Sequence, residues 1–201
     1  MMDYKGHIGN YLIPEDAKNG ICVDIGANYG NFIEKNNTNF KEIHYVEPLK
    51  HVYEHLNEKF KNHHNVFGYN RAVWSKSDLD LKMVSHLNND AGSAGVKGDF
   101  INNDWTDNVL NDVTSISIEE IIDKLGEIDY LKVDCETSEY PFLFGKDLTK
   151  IKYIGIELHP HLGVEKYDEL IAWIKKTHDL IDGDDTYVFD INKEVLYKLR
   201  N

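Results

Sequence analysis

Short apolar runs alternate with segments of helical period along most of this chain of 201 residues. The runs at 21–25, 43–47 and 65–69 have the length of buried strands. The segment at 49–60 places Val52, Leu56 and Phe60 on one face of a helix. Further strands are predicted at 79–84, 128–136 and 152–159, and further helices within 114–126 and at 138–145 and 165–178. Strands that alternate with helices predict an α/β fold, a mostly parallel doubly wound sheet with helices on both faces.

The C-terminal part of the chain has a different pattern. TYVFDI (186–191) and EVLYKLR (194–200) are separated by a short turn and predict a hairpin, so that an edge strand of the sheet runs antiparallel. The length of the chain predicts a single domain over 1–201. Residues 85–112 are rich in Asn, Asp and Gly, and we expect them to form a lid or acceptor-site loop.

The charge of the chain restricts its partners. The formal net charge is -13, which disfavours nucleic acid and anionic membranes as partners. A small molecule, a sugar or a protein therefore remains as the expected substrate. No stretch has the length and apolar character of a signal peptide or a membrane span, so a cytoplasmic location is expected. Cys22 and Cys135 lie in apolar runs, which predicts buried thiols and no disulfide or zinc cluster.

A glycine-containing turn follows the first strand, in VDIGANYGNF (23–32). A dinucleotide fingerprint needs G-x-G-x-x-G, and here Asn28 stands where the middle glycine lets the backbone approach a pyrophosphate. Asp24 precedes the first glycine of the turn, and a carboxylate there suits a cationic ligand and repels a pyrophosphate. Glu47, at the end of the next strand, is placed to accept hydrogen bonds from ribose hydroxyls. Together these residues predict S-adenosylmethionine as the cofactor.

Acidic residues are concentrated at the ends of two later strands. In LKVDCETSE (131–139) alternate residues share a face of the strand, which groups Lys132, Asp134 and Glu136. In IGIELH (154–159) the same alternation groups Glu157 with His159. If these strands are neighbours, the four acidic and imidazole side chains converge at the carboxyl edge of the sheet, beside the cofactor.

Three interpretations of this cluster stay open. A general base, Asp134 or His159, could remove the proton of a substrate hydroxyl as a methyl group is transferred. A divalent metal held by Asp134, Glu157 and His159 could orient the same hydroxyl, although the sequence does not require a metal. The third interpretation is that these are ordinary polar residues at strand ends, with Lys132 neutralising an acid.

Four segments of the chain resemble the FkbM-type methyltransferases, a family with the class I Rossmann-like fold. They are VDIGANYGNF (23–32), VEP (46–48), NRAVWS (70–75) and SISIEEIID followed by IDYLKVDCETSEYPFLFG (115–145). The resemblance implies S-adenosylmethionine-dependent O-methylation of a sugar or polyketide hydroxyl. It implies cofactor contacts at Asp24, Gly26, Asn28, Gly30, Glu47, Arg71, Ala72 and Val73. It places Asp134 and Glu136 on the acids of the family's late signature, and Glu157 and His159 on the strand that follows. The expected catalytic residues are Asp134, His159 and Glu136.

One departure from the family pattern bears on activity. The family has EGxE where this chain has Glu136, Thr137, Ser138 and Glu139, so a residue free to adopt positive φ is lost. A non-catalytic S-adenosylmethionine-binding module of the same fold is therefore one alternative function. A nicotinamide-dependent oxidoreductase is the other, and the missing middle glycine argues against it.

Overall fold

The computed structural model describes residues 11–86, 94–97, 108–189 and 191–200. The strands in these residues are β1 (Ile21–Ile25), β2 (Glu42–Val46), β3 (Val66–Tyr69), β4 (Ala72–Val73), β5 (Asp80–His86), β6 (Gly95–Val96), β7 (Asn108–Ile116), β8 (Tyr130–Val133), β9 (Tyr153–Leu158), β10 (His178–Asp182) and β11 (Lys193–Leu199). The α-helices are α1 (Asn31–Asn36), α2 (Lys50–Phe60), α3 (Ile118–Leu125), α4 (Glu139–Leu143) and α5 (Val164–Ile174). Short 3-10 helices cover Glu15–Ala17 and Pro160–Leu162.

The larger sheet has seven strands in the order β10-β11-β9-β8-β1-β2-β3. Strands β9, β8, β1, β2 and β3 pair in parallel, and β11 runs antiparallel to both β9 and β10. The predicted α/β architecture with an antiparallel C-terminal edge hairpin is thus confirmed. A second sheet has four strands in the order β4-β7-β5-β6. The carboxyl ends of β1, β2, β8 and β9 meet at one edge, where a doubly wound sheet binds its ligands.

Each face of the larger sheet is covered by its own apolar cluster, because the central strands are apolar on both sides. One cluster includes α3 and α5 and is represented by Val133, Ile156 and Leu170, each fully buried. The other packs α2 against the sheet through Val52, Leu56 and Phe60, as the helical period predicts. Helix α3 begins at an N-cap, Ser117, whose side chain accepts a hydrogen bond from the Glu120 backbone N–H at 3.3 Å.

The partner of β11 differs from the predicted one. Strand β11 pairs with His178–Asp182, and the described residues of 186–191 contain no strand. Helix α5 ends at Ile174, four residues before the predicted end, which frees the chain from His178 onward to extend along β11. The loop that follows is held by polar contacts, including the Lys193–Asp184 ion pair at 2.7 Å. The predicted hairpin is therefore present with a different first strand.

The segment 85–112 contains more regular structure than predicted. Strand β5 continues to His86, β7 begins at Asn108, and β6 pairs antiparallel with β5 between them. Alternating side chains and a long antiparallel register stabilise these strands despite the polar composition. Residues 87–93 and 98–107 lie outside the described part of the chain, so the expectation of a lid stays a prediction for them.

Two smaller predictions concern the cysteines and the membrane. Cys22 is fully buried and Cys135 is partly buried, and both thiols are free. Burial raises the pKa of both thiols well above its usual value, as expected for unreactive cysteines. Among the described residues, no helix is long and apolar enough to cross a membrane.

Candidate active site

The turn after β1 uses left-handed backbone at every second residue. The φ angles of Gly26, Asn28 and Gly30 are 72°, 49° and 79°. Asn28 thus adopts the conformation that the missing middle glycine would provide, and asparagine tolerates it better than most residues. A Cβ on Gly26 would lie 1.8 Å from the Asp134 carbonyl oxygen, so this turn packs directly against the chain that leaves β8.

Glu47 holds the same turn from the end of β2. Its Oε2 accepts a hydrogen bond from the Asn28 N–H at 3.0 Å, and its Oε1 accepts one from the Leu49 N–H at 2.9 Å. The side chain is buried, and this burial raises the pKa of Glu47 to about 7 although both backbone hydrogen bonds lower it. Each carboxylate oxygen keeps a second lone pair, which leaves acceptor capacity for ribose hydroxyls.

Asp24 lies beneath the turn and is paired with a buried lysine. The register of β1 and β8 sets Asp24 beside Lys132, whose Nζ lies 3.1 Å from Asp24 Oδ1. Asp24 is fully buried, and its two carboxylate oxygens form no well-aligned hydrogen bond within the described chain. Lys132 Nζ also donates to the Gly26 carbonyl oxygen at 3.0 Å and lies 3.4 Å from Asp134 Oδ2. Lys132 therefore links the turn to the acidic cluster and neutralises part of its charge.

The pKa shifts of these three groups follow from burial and pairing. Burial raises the pKa of Asp24 even though Lys132 opposes the rise. Burial alone would lower the pKa of Lys132, but Asp24 and Asp134 outweigh it and raise that pKa. Burial would likewise raise the pKa of Asp134, whereas Lys132 outweighs it and holds that pKa below its usual value.

The residues expected to contact adenine lie at the start of the second sheet. Ala72 and Val73 form β4 and are buried, and Val73 packs with the core beside β1 and β2. Arg71 Nη1 lies 3.6 Å from Asp78 Oδ1, and both side chains are exposed. The adenine contacts of these three residues stay a prediction.

The acids after β8 and β9 converge as the alternation predicts. Val133 pairs with Ile156 in the parallel register, so Asp134 and Glu157 follow on neighbouring strands. One ligand atom each of Asp134, Glu157 and His159 lies within 4.8 Å of the others. His159 Nε2 lies 3.5 Å from Glu136 Oε2, which brings the fourth predicted residue into the same cluster.

His159 is held by Glu139, a residue for which the sequence predicted no role. Its Nδ1 is 2.9 Å from Oε1 of Glu139, and both residues are buried. Burial would lower the pKa of His159, but Glu139 foremost, with Glu136 and Glu157, outweighs it and raises that pKa to about 10. Burial, and then the charge of Asp134, raises the pKa of Glu157. The raised pKa of His159 favours its protonated form, which cannot accept a proton.

The turn that carries Glu136 is strained where the family pattern has glycine. Glu136 and Thr137 have φ angles of 48° and 77°. A β-branched residue in this region is unfavourable, by about 1–2 kcal/mol. The chain therefore keeps the left-handed turn without the glycine that makes such a turn easy to form.

Three side chains of the site were not predicted to be functional from the sequence. Glu139 orients His159, and Lys132 bridges the two acidic groups, a larger role than the neutralisation that its position in the strand indicates. Tyr11 lies over Lys132, with 5.8 Å between Nζ and the ring centroid, and its buried hydroxyl has no hydrogen-bond partner in the described residues. Of these three, only Lys132 could have been found from the sequence, because strand alternation puts it on the same face as Asp134.

Comparison with known families identifies the fold and its chemistry. A model of the methyltransferase FkbM domain matches residues 24–180, more than half of the chain. The chain belongs to the methyltransferase FkbM family. The methyl donor of this FkbM domain is S-adenosylmethionine, as the turn and Glu47 predict. No curated protein sequence matches the chain at a significant level.

Two solved structures show the same fold at low sequence identity. The methyltransferase FkbM from Methylobacillus flagellatus KT aligns with a TM-score of 0.54 and 13% identity, over 95% of this chain and 45% of that one. The fibrillarin pre-rRNA processing protein from Methanococcus jannaschii aligns with a TM-score of 0.55 and 10% identity, over 94% of this chain and 70% of that one. This FkbM domain thus spans less than half of the Methylobacillus protein.

The residues at the carboxyl edge fit S-adenosylmethionine. Within the described part of the chain, Lys132 is the main counter-charge of Asp24 and Asp134, so the pocket favours a cationic ligand over a pyrophosphate. The buried Asn28 Oδ1 has no hydrogen-bond partner within the described residues and can accept one from a ligand. Asp24, Gly26, Asn28 and Gly30 would hold the donor at the first turn, and Glu47 would hold its ribose.

Proposed function

We propose that this chain transfers a methyl group from S-adenosylmethionine to a hydroxyl oxygen of a small molecule or glycan. The observation that supports this most directly is the contact between the two halves of the site. The Gly26 turn packs on the Asp134 main chain, and the Asp134 carboxylate continues into the Glu157 and His159 cluster. A bound donor and a bound acceptor would therefore lie side by side.

The cluster suits a hydroxyl acceptor because the carboxylates of Asp134 and Glu136 are partly exposed and the buried Lys132 lies next to Asp134. When bound, S-adenosylmethionine supplies an electrophilic methyl group on a positively charged sulfur. The Asp134 side chain is 31% exposed, so it can accept a hydrogen bond from the acceptor hydroxyl and take its proton as the ether forms. Lys132 lies behind Asp134 and stabilises its carboxylate form until the proton arrives.

Catalysis would come mainly from holding the acceptor oxygen against the methyl group. Gly95 in β6 lies near this cluster, since a Cβ there would be 3.5 Å from the Glu136 carbonyl oxygen. This contact supports the proposal that part of the segment 85–112 lines the acceptor side. Glu136, with 36% of its side chain exposed, is the residue of the cluster best placed to contact an acceptor.

An acceptor without phosphates agrees with the charge of the chain. The net charge of -13 and the concentration of carboxylates at the site repel a polyphosphate. The name of the Methanococcus fibrillarin describes that protein as a pre-rRNA processing protein, and the shared fold carries no information on this chain's acceptor. We therefore place a hydroxylated small molecule or a glycan ahead of RNA.

The proposal is tested by separating donor binding from turnover. Calorimetry with S-adenosylhomocysteine should show binding to the full chain, unchanged in Asp134→Asn and at least about tenfold weaker in Glu47→Gln. Methyl transfer from labelled donor to a panel of glycosides, polyols and phenols should be lost in Asp134→Asn. The exposed acid Asp179 supplies the control, and Asp179→Asn should change neither measurement.

Other outcomes would redirect the assignment. Binding of S-adenosylhomocysteine with no methyl transfer to any acceptor class would favour the non-catalytic module. Methylation of an RNA transcript in preference to the hydroxylated small molecules would overturn the acceptor class. Full turnover in Asp134→Asn would remove Asp134 as the base.

A further inference from the structure

Asp134, Glu157 and His159 together have the composition of a metal site. Asp134, Glu157 and His159 each offer one ligand atom, and these atoms lie within 4.8 Å of one another. Neighbouring ligands of a cation with bonds of about 2.1 Å are separated by about 3.0–3.4 Å. The three side chains would therefore have to move closer by about 1 Å to bind one ion.

The orientation of His159 is the independent observation. The residue is 1% exposed, and its Nε2 forms no hydrogen bond within the described part of the chain. This nitrogen nevertheless faces carboxylate oxygens, Glu136 Oε2 at 3.5 Å and Glu157 Oε2 at 3.9 Å. A buried nitrogen without a hydrogen bond is uncommon and calls for an occupant.

Glu139 supports the imidazole from behind. Its Oε1 lies 2.9 Å from Nδ1, and Glu139 is fully buried. A carboxylate that accepts a hydrogen bond from one ring nitrogen orients the other nitrogen toward a metal, and this arrangement is typical of histidine ligands. When an ion displaces the proton from Nε2, the same hydrogen bond fixes the tautomer whose Nε2 lone pair is directed into the cluster.

The balance of charge also favours a cation. The carboxylates of Asp134, Glu136, Glu139 and Glu157 surround His159. Lys132 offsets part of this charge through Asp134, but it is shared with Asp24 on the other side. A proton on Nε2 supplies one positive charge, whereas a divalent ion supplies two and binds three of the groups at once.

We propose that Asp134, Glu157 and His159 bind a divalent first-row transition ion, with Glu139 as the residue that positions His159. Mixed imidazole and carboxylate ligands suit Mn²⁺ or Zn²⁺ better than the all-oxygen preference of Mg²⁺ or Ca²⁺. The role of the ion rests on the proposed function, because it would hold the acceptor hydroxyl and lower its pKa. A carboxylate bound to the ion is a poor base, so with the ion present Glu136 would replace Asp134 as the group that receives the proton. Binding of the ion itself requires neither donor nor acceptor.

The experiment is titration of the metal-stripped full chain with MnCl₂ or ZnCl₂ alone. Calorimetry measures binding of both ions, and for Mn²⁺ the loss of the electron paramagnetic resonance signal of the free ion measures it independently. One equivalent should bind. His159→Ala should weaken binding at least about 100-fold, and Glu157→Gln at least about tenfold. Glu139→Gln should weaken it about 10–100-fold, as expected for a positioning residue. The exposed His161 in the adjacent 3-10 helix is the matched control, and His161→Ala should bind the ion as the wild type does.

Clear outcomes would overturn the proposal. It fails if neither ion saturates one site below about 1 mM, or if His159→Ala and Glu157→Gln bind as tightly as the wild type. Circular dichroism of each variant establishes that the fold is retained, and Glu157→Gln keeps the test valid if His159→Ala does not fold. Binding of S-adenosylhomocysteine is measured on the same samples. A wild-type chain that binds the ion but not S-adenosylhomocysteine would contradict the proposed function alone. A wild-type chain that binds S-adenosylhomocysteine but neither ion would contradict the metal site alone.

Discussion

The turns that follow β1 and β8 meet at the same edge of the sheet but are built from different residues. The first has positive φ at Gly26, Asn28 and Gly30, which tolerate it. The second has positive φ at Glu136 and Thr137, which do not tolerate it well. The turn after β1, the proposed cofactor side, therefore has little backbone strain. The turn after β8, the proposed acceptor side, stores strain next to the acidic cluster, as functional sites commonly do.

The same two regions differ in how their acids are compensated. On the cofactor side Asp24 is paired with Lys132, and Glu47 accepts two backbone hydrogen bonds. On the acceptor side several carboxylates converge on the single imidazole of His159. The first region thus pairs its acids with a lysine and with backbone N–H groups, whereas the second gathers several carboxylates around one imidazole.

The largest expected effect comes from removing the lysine that serves both regions. Lys132→Met leaves the buried Asp24 without a counter-charge and should lower the free energy of unfolding by about 3–5 kcal/mol, measured by urea denaturation. The double variant with Asp24→Asn should lose less than Lys132→Met alone. Arg200→Ala is the control, because it breaks an ion pair with Asp179 in which both side chains are exposed, and it should cost less than about 1 kcal/mol. An equal loss of unfolding free energy in Lys132→Met and Arg200→Ala would show that Lys132 is not the buried partner of Asp24.

The next effect tests how closely the two turns are packed. Gly26→Ala adds a methyl group 1.8 Å from the Asp134 carbonyl oxygen at a φ of 72°, so it should destabilise the chain by more than the φ cost of about 1–2 kcal/mol. Gly145 has a φ of 80°, and no described atom lies within 4 Å of the place its Cβ would take, so Gly145→Ala should show the φ cost alone. Thermal unfolding of both variants measures the difference. A difference near zero would mean that the turns move apart easily.

The charge of Glu47 predicts a pH dependence of stability. Burial raises the pKa of Glu47 from 4.5 to about 7, so the folded state binds a proton more tightly than the unfolded state. The stability contributed by this group is full below about pH 4.5 and is lost as the pH rises to about 7, by roughly 1–3 kcal/mol. Glu47→Gln cannot ionise, so its stability relative to the wild type should improve between about pH 5 and pH 8. Denaturant unfolding at several pH values measures this trend, and a flat difference would contradict it.

The smallest expected effect is an increase in stability. Thr137→Gly relieves the unfavourable φ of 77° and should stabilise the chain by about 1 kcal/mol or less, since glycine also gains freedom in the unfolded state. Thr114 in the extended strand β7 provides the control, and Thr114→Gly should destabilise by about 0.5–1 kcal/mol. Chemical denaturation measures both changes. Destabilisation by Thr137→Gly would show that side-chain contacts of Thr137 outweigh its strain.

Predictions from the sequence were most successful where the signal was local. The period of α2 predicted its buried face, and the alternation after residue 131 predicted that Asp134 and Glu157 would meet. The hairpin was wrong in its first strand because the apolar pattern of 186–191 resembles a strand as closely as that of 178–182 does. Which of two similar segments pairs with β11 depends on where α5 ends, and no local pattern marks that point sharply.

The sequence by itself determined the α/β architecture, the glycine-containing turn and the set of acids that could reach the sheet edge. The reason is that strand period, helix period and turn chemistry are properties of neighbouring residues. The tertiary structure alone decided that Lys132 lies beside Asp24 and that Glu139 holds His159, since the first pair is set by strand register and the second by packing across 20 residues. Such contacts depend on register and packing between distant segments, which local patterns do not specify.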